Sequence, residues 1–158
     1  MHPSAQKVSD AASQLGLDVE IVEFEQTTRT AQEAADAIGC GVAQIVKSLL
    51  FVVDGQPVVA LVSGANQLDE RKLAALRGVS RKRVQRADAE TAKAATGFAI
   101  GGVPPFGHSA RLPVYVDRDL ARFEVVWAAA GTHFAVFAIT PGELVRASGG
   151  AVVDLAAD

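Results

Sequence analysis

The stretch "IVKSLLFVVDGQPVVALV", residues 45–62, constrains the fold more than any other part of the chain. It holds two runs rich in Val and Leu, joined by Asp54-Gly55-Gln56-Pro57. Asp-Gly between two such runs signals a β-hairpin, because both turn positions tolerate positive φ. Two strands this apolar must be largely buried, so the rest of the chain has to cover them. A membrane span is not expected here. Lys47 and Asp54-Gly55 interrupt the run well short of the roughly 18 to 20 apolar residues that a crossing needs.

The remaining segments supply both helices and further strands. Val8, Ala11, Ala12 and Leu15 recur at helical spacing and the pattern stops at Gly16. Thr30 and Glu33 stand in capping-box spacing before a short helix ending at Gly39. Asp69 caps a helix carrying Leu73 and Leu76, and Asp88 caps one that runs to Gly97. Thr140-Pro141-Gly142-Glu143 opens a last helix with N-cap, proline and acid in order. "VEIVEF", "LPVYVD", "EVVWAAA", "HFAVFAI" and "AVVDL" read as strands. The pattern predicts a mixed α/β fold with strands linked by hairpins, in one domain over residues 1–158, without repeat or linker.

Bulk properties narrow the function classes. A formal charge of −3 excludes the strongly basic profile of a protein that coats nucleic acid, and leaves room for a local basic patch. The single cysteine, Cys40, excludes an internal disulfide framework and fits a reducing cytoplasm. The N-terminus lacks a basic segment followed by an apolar one, so no signal peptide is expected. The expected location is cytoplasmic.

"TGFAIGGVPPFGH", residues 96–108, is dense in glycine but matches neither G-x-G-x-x-G nor a P-loop. Pro104 and Pro105 have no N–H to offer, so a phosphate nest is excluded on chemistry. Two readings remain: a structural turn, or a rigid wall where Gly101 and Gly102 let backbone approach a ligand. Lys47 poses a similar choice. It either snorkels from a strand end or aims a cation at an anion or polarised carbonyl. Cys40 with His2, His108 or His133 allows a Cys/His nucleophile on paper, though its surroundings fit a packed cysteine better. No Cys/His spacing suits zinc, so neither metal nor cofactor is expected. Arg71, Lys72, Arg77, Arg81, Lys82, Arg83 and Arg86 form a basic run that serves as a solvated face or a phosphate-backbone contact.

Taken together, "RTAQEAADAIG", "QIVKSLLF", "NQLDERKL", "ATGFAIGGVPPFGH", "LPVYVD" and "AAGTHFAVFAITPGEL" resemble the YbaK/ProX family, from about residue 24 to the C-terminus. These are trans-acting aminoacyl-tRNA deacylases related to the editing insertion domain of bacterial prolyl-tRNA synthetase. The resemblance implies a mixed, barrel-like β-sheet flanked by helices. It also implies hydrolysis of the ester between a wrong amino acid and the 3′ end of a tRNA.

On that resemblance Lys47 contacts the tRNA terminus or the substrate carbonyl, with Ser48 beside it as the family's hydroxyl residue. The Gly101–Gly107 loop, with Gly102 and Pro104, faces the aminoacyl ester. Gly131, Thr132 and His133 shape the amino-acid pocket, with Phe24 and Thr30 as further selectors. Arg81, Lys82 and Arg83 are available for the acceptor stem. The cysteine-specific branch carries an acidic residue about where Val136 stands. This points toward branches that clear serine, threonine or alanine. Implied partners are aminoacyl-tRNA and an aminoacyl-tRNA synthetase, with no membrane and no DNA.

Overall fold

A computed structural model describes all residues, 1–158. The hairpin forms as β2 (Ile45–Val53) and β3 (Gln56–Ser63), antiparallel, with Val46 opposite Ser63 and Val53 opposite Gln56. Asp54 (φ 49°) and Gly55 (φ 82°) make the left-handed turn that the strand twist requires. Alternate residues then face opposite ways. Val59 and Leu61 enter the main core, while Phe51, Val53 and Val58 enter a second cluster on the other face. Residues 58 to 62 are all 0% exposed, so this strand is covered on both sides.

Helices supply that cover. Helix α1 (Pro3–Gln14) buries Ala5, Val8 and Ala12 in the main core, beside Phe98, Phe106 and Phe137. The Phe106 and Phe137 rings meet at 5.5 Å between centroids. Helix α2 (Ala31–Ile38) starts at its Thr30 cap and lays Ala34 and Ala35 over Ile45. On the opposite face α3 (Glu70–Arg77) inserts Leu73 and Ala74 against Phe51 and Val58. Helix α4 (Ala89–Thr96) begins and ends at its predicted caps, and α5 (Pro141–Ser148) begins at its predicted Thr140 cap and ends at Gly149. Complete burial of a leucine or phenylalanine side chain is worth about 1.5–3 kcal/mol, so the hairpin and its covers dominate stability.

The other strands are β1 (Ile21–Glu23), β4 (Val84–Arg86), β5 (Val114–Asp117), β6 (Val126–Ala129), β7 (Ala135–Ile139) and β8 (Ala151–Val153). They form one eight-stranded mixed sheet in the order β1-β7-β6-β2-β3-β5-β8. β4 lies off this path and pairs with β2. The β2–β6, β3–β5 and β5–β8 pairs are parallel and the rest antiparallel. Strand β4 was not foreseen. It has three residues and only Val84 is buried, too little for an alternating signal to show.

That short strand positions the site. One edge of β2 runs along β3 for its whole length. The other edge is shared: β6 takes Ile45 and Val46, and β4 takes Phe51 to Val53. The Leu50 carbonyl accepts the Ala87 N–H. Lys47, Ser48 and Leu49 therefore sit where the sheet forks, with no neighbouring strand on that side. The fold has no helix long and apolar enough to cross a membrane.

Candidate functional site

A cavity of about 320 Å³ opens at the fork. Its floor is Ile45 to Leu49 of β2, and its walls come mainly from four other places. These are the segment 28–31 that leads into α2, the end of β4 at Arg86, the Ile100–Val103 stretch of the glycine loop, and Trp127 to Ala129 of β6. Arg29, Lys47 and Arg86 all line it, and no Asp, Glu, His or Cys does. Three cations without a carboxylate make a field that attracts anions. Between them lie small or apolar surfaces such as Ala34, Val103 and Val136.

Lys47 is half-buried, and its Nζ donates to the Asn66 carbonyl at 2.5 Å. Burial disfavours its charged form, and the like charge of Arg86 adds to this, so its pKa lies below the ordinary lysine value. Asp117 opposes the shift without cancelling it. Ser48 lines the same cavity, and its Oγ is the one buried side-chain oxygen or nitrogen without a hydrogen-bond partner. Such a group carries a desolvation cost that a ligand can relieve.

The glycine loop divides by position. Gly101 lines the cavity in a left-handed conformation (φ +93°), and its N–H donates to no protein acceptor. The Val103 N–H is free in the same way, and Val103 also lines the cavity. Gly102 turns away. Its N–H donates to the Ala99 carbonyl (3.0 Å) and its carbonyl accepts from the Gly131 N–H (2.9 Å). Pro104 is buried behind the wall, where its carbonyl takes a 2.7 Å hydrogen bond from His108 Nε2. Gly107 (φ +76°) lines a separate groove next to Ala11 on α1.

The remaining sequence candidates form a support rather than a lining. Gly131 (φ +94°) is pressed against α1: a Cβ there would meet the Ser4 carbonyl at 2.4 Å. Thr132 Oγ1 accepts the Phe134 N–H, and the His133 carbonyl accepts from Thr28 N–H and Oγ1. The Phe24 N–H donates to the Phe134 carbonyl. These bonds tie the segment before α2 to the turn before β7. The His133 Cβ also lies 3.7 Å from where a Gly101 Cβ would stand, at the cavity's rim. Thr30 lines the cavity while capping α2.

In the basic run, Arg81 pairs with Glu70 (2.8 Å) and Arg83 with Asp54 (3.6 Å), while Lys82 is exposed without an ion pair. Only Arg86, the last of the run, reaches the cavity. Cys40 packs beside Ala34, Ala35 and Ile45, and burial raises its thiol pKa away from the reactive thiolate. It does not line the cavity. No cluster of three His, Cys, Asp or Glu side chains is placed to hold a metal.

Sequence reasoning missed Arg29, Arg86 and Trp127 as neighbours of Lys47. Arg86 was visible only as one cation among seven, and nothing in the sequence showed that β4 ends beside β2. Arg29 precedes the Thr30 cap, and that position was the available clue.

Comparison with known proteins bears on the chain as a whole. The family model described as "Aminoacyl-tRNA editing domain" matches residues 25–147. The Bacillus subtilis protein YwhH, itself uncharacterized, is 32% identical over 142 residues, covering 89% of this chain and 88% of the relative. EbsC of Enterococcus faecalis, named as a candidate Cys-tRNA(Pro)/Cys-tRNA(Cys) deacylase, is 26% identical over 127 residues, covering 80% of this chain and 76% of EbsC. A crystal structure described as a candidate trans-editing enzyme for prolyl-tRNA synthetase superposes with a TM-score of 0.94 at 45% identity, covering 100% of this chain and 99% of that one.

Proposed function

The chain belongs to the aminoacyl-tRNA editing domain family, and from that premise we propose that it acts in trans as a deacylase. Its substrates are tRNAs mischarged with a small amino acid: serine, threonine, alanine or cysteine. The observation that carries this reading is the fork in the sheet. It exposes Lys47 and Ser48 to one cavity together with the unpaired Gly101 N–H.

The chemistry follows from the residues present. Water, or a hydroxyl of the substrate itself, attacks the ester carbonyl. The C–O bond to the ribose then breaks and its oxygen takes the proton. Water gives the free amino acid directly, whereas an attacking side-chain hydroxyl gives a lactone that water opens in a second step. The charge that develops on the carbonyl oxygen needs fixed donors. The N–H groups of Gly101 and Val103 and the Lys47 ammonium supply them. With no carboxylate or imidazole in the lining, a protein general base of the usual kind is lacking. Catalysis then rests on positioning and oxyanion stabilisation, which suffice for an activated ester.

The Arg29 and Arg86 guanidiniums suit the phosphates at the tRNA terminus. Val103 and Val136 leave room for a small side chain and offer no acidic partner. Phe24, Gly131, Thr132 and His133 act by holding that wall, and Arg81, Lys82 and Arg83 lie on the surface open to an acceptor stem. A synthetase that releases the mischarged tRNA is the natural partner, and the cytoplasm the natural site.

A deacylation panel tests the proposal. Alanyl-, seryl-, threonyl- and cysteinyl-tRNAs, cognate and mischarged, are incubated with the wild type and with Lys47→Ala. We expect at least one small-residue ester to be cleared by the wild type, and that clearance to be lost in the variant. If no charged tRNA is cleared faster than in buffer, the enzymatic reading is wrong and the alternative is a non-catalytic tRNA- or synthetase-binding module of the same fold.

A further inference from the structure

Behind Lys47 lies a cluster of polar side chains that the proposed reaction does not touch. Asn66 stands in the turn after β3, where its N–H donates to the Ser63 carbonyl (2.9 Å). Its side-chain amide gives one hydrogen bond to Asp117 Oδ2 and another to Asp119 Oδ2, both 2.8 Å. Both acceptors are carboxylates, so the NH₂ group must face them and the amide orientation is determined. Asp117 is 1% exposed and fully engaged. Oδ2 also accepts the Ser63 N–H (3.0 Å), and Oδ1 accepts the Asp119 N–H (2.9 Å).

The turn is held from its other side as well. Ser63 Oγ donates to the Ala43 carbonyl (2.7 Å), and the Gly64 N–H to the Ile45 carbonyl (2.7 Å). The turn is therefore held from both sides, and Lys47 Nζ donates to its Asn66 carbonyl. It is the only protein hydrogen bond that the ammonium makes. A lysine stem has four flexible carbons, so without a fixed acceptor its head would sample many positions.

We propose that Asn66, clamped between Asp117 and Asp119, is the positioning residue that fixes the Lys47 ammonium at the floor of the cavity. This rests on the reading of Lys47 as a substrate contact. Asn66 suits the task because a neutral amide can serve two carboxylates at once. An aspartate there would add a third negative charge and could donate nothing.

The test observes Lys47 directly, in the absence of substrate. Hydrogen exchange of the Lys47 ammonium is followed by NMR in nitrogen-labelled protein, with Lys47→Ala for assignment. Wild type is compared with Asn66→Ala and Asp119→Ala. We expect exchange to quicken on the order of tenfold in Asn66→Ala and by a smaller factor in Asp119→Ala, as the carbonyl loosens. In parallel, single-turnover deacylation falls on the order of tenfold in Asn66→Ala while charged-tRNA affinity stays within about twofold. Asp119 is partly exposed, so its variant keeps the question open to measurement should Asn66→Ala not fold. Exchange unchanged from wild type in the folded variants overturns the proposal. A Lys47→Ala protein that deacylates at the wild-type rate overturns the functional reading instead, and the exchange data still decide the role of Asn66.

Discussion

Adding one methyl group at Gly102 probes the join between the glycine loop and the turn before β7. Gly102 does not have positive φ, so alanine meets no backbone strain there and the effect is steric. Its Cβ would stand 2.7 Å from the Gly131 oxygen and 2.8 Å from both the Gly131 carbon and the Thr132 Cα. Ordinary contact begins near 3.4 Å, so the two backbones must part by about 0.7 Å. Gly131 has no room to retreat, because α1 lies directly behind it.

Overpacking of this kind costs about 1–3 kcal/mol, and the Gly131-to-Gly102 hydrogen bond is strained with it. At about 2 kcal/mol, Tm should fall by about 4–8 °C for a chain of this size. The displaced segment carries the Gly101 N–H, so single-turnover deacylation should drop about 10- to 100-fold. Gly142→Ala is the control: nothing lies within 4 Å of its Cβ, and Tm should hold or rise by about 1–2 °C. A Gly102→Ala protein with wild-type Tm refutes the close approach. One that is destabilised yet deacylates normally refutes the link between this join and the site.

Ser48→Ala should leave Tm unchanged or raise it by up to about 2 °C, since it removes an unpartnered buried hydroxyl, while weakening binding of charged tRNA. Thermal melts and filter binding on one preparation check both halves. The lowered pKa of Lys47 disfavours its ammonium in the fold. Stability should therefore rise as pH climbs through that value toward the ordinary lysine value, and ammonium-dependent turnover should fade over the same window. A pH–rate profile would show this alkaline limb below the usual lysine range, and whatever activity Lys47→Arg retains should lack it. His108 is held neutral by burial, against the raising effect of its bond to the Pro104 carbonyl. Its folded pKa lies below its unfolded one, so its stabilisation is complete above about pH 6.5 and is lost as pH falls through the folded value. Melting temperature between neutral and acidic pH should drop more steeply for wild type than for His108→Gln.

The parts legible in the sequence are those that local chemistry controls. Asp54-Gly55 specifies a turn of one hand, Thr30, Asp69, Asp88 and Thr140 cap their helices, and left-handed glycines end all four at residues 39, 78, 97 and 149. Each depends on atoms a few residues apart, so a reading of the neighbouring residues suffices. Lys47 was also visible as an anomaly in an apolar strand, Ser48 only through the family resemblance, and both line the cavity.

What the sequence could not show was how β2 divides its second edge between β6 and β4. That depends on pairings between residues 31 to 82 positions apart, whose energy lies in backbone hydrogen bonds that any side chain permits. Only this division leaves Lys47 and Ser48 without a neighbouring strand, and only it brings Arg29, Arg86 and Gly101 around them. It also separates Gly101 from Gly102, which are adjacent in the chain yet face a cavity and a packed turn respectively. The chain's own residues therefore determined the strands, the helices and the reactive types available. The tertiary structure alone decided which of them meet, because a fork in a sheet is a property of long-range register and not of any local stretch.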